Sequence, residues 1–322
     1  MAGRWWTVGN QSLDAHTDAD GRQHNSDEHQ KRPHRNSFAP GSESASFPLA
    51  YLRSLFGDLG WRRNLGATSR PYTGTVGPVT APLILLPPSE GKESGGKAKR
   101  LPDRFAASLF AERAEVRAAL ADVLATSNLD RMSKLFRVRG ELLDRGLRAT
   151  QEFLDGSAPL LPAWRRYTGV VWDALEPETL PRATRLRILV PSALYGITTA
   201  EDQIVDYRLT MHVALPGLGN LARHWRSPLT EVVKRAAGRS KVVSLLPNEH
   251  AAAVGLGELR NVVSVSFVAA DGKRAVGHEA KAAKGRFARH LIDNGIGEAA
   301  GFRFEGWTVR EAGSGFTLVS PK

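Results

Sequence analysis

At 322 residues, 42% of them hydrophobic, the chain is long enough for one large domain or two small ones, and no run approaches a membrane span of roughly 18 apolar residues. Cysteine is absent, which excludes disulfides, thiolate nucleophiles, thiol peroxidase chemistry and cysteine-ligated iron–sulfur clusters, so any redox role has to be indirect or use a non-thiol site. The formal charge of +11 points to anionic partners, and since residues 1–80 carry nine Lys/Arg against seven Asp/Glu, +9 belongs to the remainder; arginine-rich codon usage is the plain alternative.

The chain begins Met-Ala-Gly-Arg-Trp-Trp and turns polar at once, without a secretory signal, so a cytoplasmic location and no membrane partner are expected. Residues 10–46 are rich in Asp, His, Asn, Ser and Gly without periodicity, the composition of a disordered leader. His16, His24, His29 and His34 are too irregularly spaced for a metal tail. Leu49–Trp61 could form one short amphipathic helix. Residues 1–80 are therefore expected to be a dispensable leader and 81–322 the folded part.

Leu83–Leu86 reads as a buried strand, followed at once by Pro87-Pro88-Ser89-Glu90-Gly91-Lys92. With Gly-rich Glu93–Lys97 and Lys97, Lys99 and Arg100 beyond, this predicts a flexible loop offering Ser89, Lys92 and backbone donors to an anion, but it lacks P-loop spacing. Asp103–Ser127 has helical periodicity. Ser127 and Asn128 can cap a short second helix with Leu129, Met132 and Leu135 inward, and Gly140 marks a break before a third, Glu141–Leu154. Arg131, Lys134, Arg137, Arg139, Arg145 and Arg148 lie on this pair and suit a nucleic-acid backbone or plain solvation.

Trp164 and Tyr167 bracket Arg165 and Arg166, an interleave that suits stacking on a base while neutralising phosphate, or anchoring a core. Leu186–Val190 reads as a strand ended by Pro191, with a turn over Ser192–Gly196 and a polar segment closing on Tyr207 and Arg208. Turns after strands are where α/β proteins place ligands. Leu221–Ala237 is helical, with Pro228 marking a kink or a fresh start and His224 structural. Lys241–Leu246 is a strand with Pro247-Asn248-Glu249-His250 at its end; Asn261–Val268 and Lys273–His278 predict a hairpin about Asp271-Gly272. Lys281–Asp293 is a helix burying Phe287 and Leu291, with Lys281, Arg286 and Arg289 opposite and Lys284 at the boundary. A last strand lies near Phe316–Val319. The pattern is α/β: a mixed sheet with flanking helices in one domain.

The segments PPSEGK, TGVVWDAL, SALYGITTAEDQIVDYRLTM, SLLPNEH and EAKAAKGRFARHLIDN followed by GFRFEGW resemble, in their order from Leu83 to Val309, the YaaA or peroxide stress resistance family. The resemblance implies a single-domain mixed α/β fold, a cytosolic location, a role in limiting damage from hydrogen peroxide and free iron, and DNA binding by at least one member. The matching polar positions are Lys92, Tyr195, Gly196, Tyr207, Arg208, Glu249, Lys281, Lys284, Gly285 and Glu305. The chain departs in its first loop, Pro-Ser-Glu-Gly-Lys for the more usual Ser-Pro-Ala-Lys, in His250 where Tyr is commoner, and in its leader.

Two functions follow as expectations. In the first, the protein binds DNA during peroxide stress through Lys281, Lys284, Arg286, Arg289 and the arginines of 131–148, with Arg165 and Arg166 on phosphate and Trp164 or Tyr167 on bases. In the second, an enzyme takes a nucleotide-like small molecule: Lys92, Arg208 and Glu249 are the catalytic candidates, and Ser89, Tyr195, Gly196, Tyr207, Lys284 and Glu305 the ligand-binding ones. No cofactor or metal is expected. The five histidines after residue 80 are scattered, so any effect on iron would be indirect.

Overall fold

The computed structural model describes residues 81–97 and 103–321. The expected leader, the Leu49–Trp61 helix, the histidines before residue 35, Lys99 and Arg100 lie outside these residues.

The first strand, β1 (Leu83–Leu85), is wholly buried, as its apolar side chains require, and the prolines after it end the ladder. Helix α1 (Phe110–Thr126) buries Val116, Ala119, Leu120 and Val123. It starts later than its periodicity suggests, because Asp103 holds the preceding segment as a turn, accepting from Phe105 N at 2.8 Å and pairing with Arg113 at 2.6 Å. Helix α2 (Leu129–Phe136) is capped by Asn128, whose side chain accepts from Arg131 N; helix α3 (Glu141–Asp155) stops at Gly156, left-handed at φ 77°. Leu129, expected inward, is 64% exposed, because Met132 and Phe136 form the buried stripe of α2.

Short elements follow: β2 (Leu161–Pro162), α4 (Ala163–Arg166), α5 (Val170–Leu175) and α6 (Arg182–Arg185). Strand β3 (Ile188–Ser192) turns at residues 193–195 into β4 (Gly196–Thr199). Pro191 does not end β3 as expected but pairs with Ile197; β1 accompanies β3 only through Leu189, so no donor is required of residue 191 on that side. Then come β5 (Gln203–Ile204), which pairs with β2, β6 (Ala214–Leu215) and β7 (Gly219–Asn220), which pair together, and α7 (Leu221–Ala237). Pro228 lies inside an unbroken α7, and His224 packs edge-on against Trp225 with Glu115 at 3.7 Å.

Strand β8 (Val242–Ser244) leads into α8 (Asn248–Val254), and β9 (Val262–Val268) into α9 (Gly277–Asn294). The expected hairpin return makes only one bridge, Val268 to Arg274. Strand β9 already has β8 on one side and, on the other, β11 (Gly315–Val319), which follows β10 (Thr308–Ala312).

The seven-stranded sheet runs β10-β11-β9-β8-β1-β3-β4. Its inner five strands are parallel and both edge strands antiparallel, so it is mixed, with flanking helices. The chain enters at β1, moves to β3 on one side and later places β8 and β9 on the other. The switch point therefore lies between β1 and β8, where the carboxyl ends of parallel strands open a crevice.

Helix α9 approaches α5 closely through Gly285, where a Cβ would stand 2.3 Å from Val171 O and 2.8 Å from Ala174 Cβ. Gly285→Ala is expected to force the helices apart and lower stability by about 1–3 kcal/mol in thermal melts. Gly297→Ala, at a position with nothing within 4 Å, is expected to change it by less than about 0.5 kcal/mol.

Candidate functional site

The loop after β1 is anchored, not flexible as expected. Lys92 bridges Tyr167, Thr168 N donates to Gly91 O at 3.1 Å, Glu93 N to Arg166 O at 2.8 Å, and Lys97 exchanges bonds with Leu160. The Ser89 hydroxyl donates to Thr168 O, and Trp172 Nε1 donates to Pro87 O at 3.2 Å. Arg145 from α3 completes the support, with Nη2 on Lys92 O at 2.6 Å and Nε on Asp206 at 2.7 Å.

These supports fix the Lys92 amine, which donates to Ser89 O at 2.8 Å and sits 4.2 Å from the Tyr207 ring centroid and 5.6 Å from that of Tyr167. Desolvation pushes its pKa from 10.5 down to about 7; Asp206 and Glu90 oppose this, while Arg208 and Arg145 add to it. Behind the amine, Ser192 Oγ donates to Tyr207 OH at 2.9 Å, and the Tyr207 and Tyr167 hydroxyls are 2.9 Å apart. Burial raises both phenols.

A second group surrounds Glu249 at the start of α8. Its carboxylate stands 3.6 Å from His250 Nδ1, which pulls its pKa down to about 2, and the charge of His212 adds to this. Lys284, from α9, sits 5.2 Å from the Phe267 ring centroid. Burial lowers it to about 8, with Arg274 and Lys281 adding and Glu249 opposing.

The candidates thus separate into two groups: Lys92 with Arg208, and Glu249 with Lys284. The Ser89 hydroxyl is committed to Thr168. Tyr195 and Tyr207 do not offer stacking faces as expected. Tyr207 is 4% exposed, while Tyr195 accepts from Val205 N at 3.1 Å, packs edge-on against Tyr207 and Phe153, and is pushed up to about 12 by burial. Gly196 is structural, because a Cβ there would lie 2.6 Å from the Trp225 indole. Glu305 is exposed in the turn before β10 and forms no ion pair among the described residues.

The expected nucleic-acid residues are also divided. Arg166 is wholly buried, its guanidinium bonded to the carbonyls of Glu93, Gly95, Pro159 and Ile204, so it presents no charge to phosphate. Tyr167 is buried, and Trp164 lies under the Arg185 guanidinium at 4.9 Å. Arg286 pairs with Glu176 at 2.8 Å; Arg289 pairs with Asp293 at 2.7 Å and bonds the carbonyls ending α5. Arg165 and Lys281 remain exposed cations. Reading the residues singly missed Ser192 and Asp206; the nearest signal was their place in the segment that also carries Tyr195, Tyr207 and Arg208.

Two outcomes are expected. Tyr207→Phe removes the hydroxyl shared by Ser192 and Tyr167 and should destabilise by about 1–3 kcal/mol in denaturant titrations. Because the Lys92 amine titrates near 7 folded and at its ordinary 10.5 unfolded, the penalty on the charged form is full below pH 7 and fades as pH rises through that window. Lys92→Met should therefore raise Tm most at about pH 6, with the gain shrinking towards about pH 10.

A protein-family model described as "Peroxide stress protein YaaA" matches residues 83–312. A UPF0246 protein of Streptomyces coelicolor is 37% identical over 225 residues, covering 66% of this chain and 84% of its own length. One from Corynebacterium efficiens is 32% identical over 214 residues, covering 65% and 84%. One from Shewanella sp. strain MR-4 is 38% identical over 158 residues, covering 45% and 60%. With the family model matching well over half of its length, the chain belongs to the peroxide stress protein YaaA family.

Proposed function

We propose that this protein acts in the response to hydrogen peroxide by binding DNA, and that it does so through the α2–α3 hairpin. Family membership supports the stress role. The observation that carries the DNA reading is a set of exposed cations that no carboxylate pairs among the described residues. Arg131, Lys134, Arg137, Arg139 and Arg148 are all exposed on α2, α3 and the turn between them. Among the described residues none has a carboxylate within ion-pair distance, whereas Arg286 and Arg289 of α9 do.

The turn is shaped for close approach. Arg137 ends α2 in the left-handed conformation at φ 56°, Gly140 precedes α3 at φ 55° and ψ −139°, and α3 starts without a side-chain cap. Cations on two helices and their connection meet successive phosphates along one strand, an arrangement that gives affinity with little sequence preference. On this reading, damage is limited by occupying DNA, and any effect on free iron is secondary to that.

The test is fluorescence anisotropy of the full chain on duplex and single-stranded DNA across a salt series. The triple variant Arg131→Ala/Arg139→Ala/Arg148→Ala is expected to weaken binding at least about tenfold. On duplex it should also flatten the slope of log affinity against log salt by about 0.9 for each phosphate that the three side chains neutralise. Lys281→Ala is expected to have the smaller effect. Unchanged binding by the triple variant would refute the hairpin as the interface.

A further inference from the structure

At the β1 end of the crevice two neighbouring cations have no carboxylate within ion-pair distance among the described residues. The Lys92 ammonium has three donors and directs one to Ser89 O. The Arg208 guanidinium has five donors, and its side chain makes no hydrogen bond or ion pair among the described residues, although it is partly buried. The nearby acids give them no ion pair: Asp206 is held by Arg145 at 2.7 Å, and it and Glu90 act on the Lys92 amine only through space. The two are close: Arg208 adjoins Tyr207, on whose ring Lys92 rests, and its charge acts on the amine. The Arg208 stem is packed as well, its Cβ and Cγ each 3.3 Å from where a Cβ on Gly146 would stand. Holding like charges together in a partly desolvated place disfavours the folded chain unless something anionic joins them.

We propose that Lys92 and Arg208 form a binding site for a small dianion of the phosphate-monoester class, in the crevice beyond the carboxyl end of β1 and distinct from the cationic α2–α3 hairpin. The charge selects the class. With Asp206 held by Arg145, two positive groups lie close together, and a dianion satisfies both where a monocarboxylate satisfies one. The planar guanidinium takes two phosphate oxygens side by side and the ammonium meets a third as a point charge. The site lies beyond the carboxyl ends of the parallel strands β1 and β3, the end of an open α/β sheet at which ligands bind.

The state of the amine adds a signature. An amine that titrates near 7 in the unliganded protein is driven to its charged form by an adjacent dianion, so binding takes up protons above neutrality and weakens as pH rises. The groups facing it that set this response are Asp206 and Arg208, Glu90 from its own loop, Arg145 from α3, and the Tyr167 and Tyr207 rings.

Calorimetric titration of the full chain with inorganic phosphate, adenosine 5′-monophosphate and acetate, at constant ionic strength and in two buffers of different ionisation enthalpy, tests this directly. Phosphate and the monophosphate are expected to bind with proton uptake at about pH 7.5, and acetate about tenfold or more weakly. Lys92→Met and Arg208→Gln should each weaken phosphate by about tenfold or more, while Arg139→Ala leaves it unchanged. Because Arg208→Gln could lose its fold, Lys92 labelling by acetic anhydride in the wild-type chain, read by peptide mass spectrometry, gives a second measure: phosphate should protect it. Equal binding of acetate, retention of phosphate binding by folded variants, loss of phosphate binding in Arg139→Ala, or labelling indifferent to phosphate would overturn the site.

Discussion

The arrangement of the crevice depends on one buried charge. Arg166 ends the short helix α4 with no exposure, and its acceptors are all main-chain carbonyls: Glu93 and Gly95 from the loop after β1, Pro159 before β2, and Ile204 in β5. A buried guanidinium is costly unless its donors are satisfied. Satisfying them draws three separate stretches of chain into contact. The Lys92 loop lies against residues 160–168 because this group needs the loop's carbonyls, so the placement of the amine follows from the solvation of an arginine in a different part of the chain.

The same device recurs and changes what the charge of +11 means. Arg113 bonds the carbonyls of Tyr195 and Ile197, Arg117 those of Phe153 and Leu154, and Arg187 those of Ala81 and Pro82. Arg185 and Arg289 do likewise at the turns flanking α5 and α6. Much of the arginine excess is therefore internal scaffolding, tying loops to strand ends. Among the cations outside such clamps are those of the α2–α3 hairpin and the pair Lys92 and Arg208. Those two places carry the proposed DNA contact and the proposed anion site.

The fold was largely legible in the sequence, because apolar runs such as Leu83–Leu86 and Lys241–Leu246 and the periodicity of Leu221–Ala237 depend on local pattern alone. The failures share a cause. Pro191 within β3, the shortened hairpin return after Asp271 and the late start of α1 were each decided by a contact that the apolar pattern does not record: the short reach of β1, the pairing of β11 with β9, and the Asp103–Arg113 contact. The site was half legible. Strand-end position singled out Lys92 and Arg208 as candidates, but chain order could not show that Glu249 lies near Lys284, nor that Arg166 points inward. An arginine beside a tryptophan and a tyrosine has the same pattern whether it meets a phosphate or four carbonyls.

The outer edge of the sheet has its own consequence. Among the described residues strand β10 pairs only with β11, and four of its five residues are exposed, among them Arg310 and Glu311 side by side. Its free row of backbone donors and acceptors is a template on which another extended chain could add. Adjacent opposite charges, set on alternate faces of a five-residue strand, would have to be desolvated by any such newcomer. These charges therefore oppose edge-to-edge association at this strand.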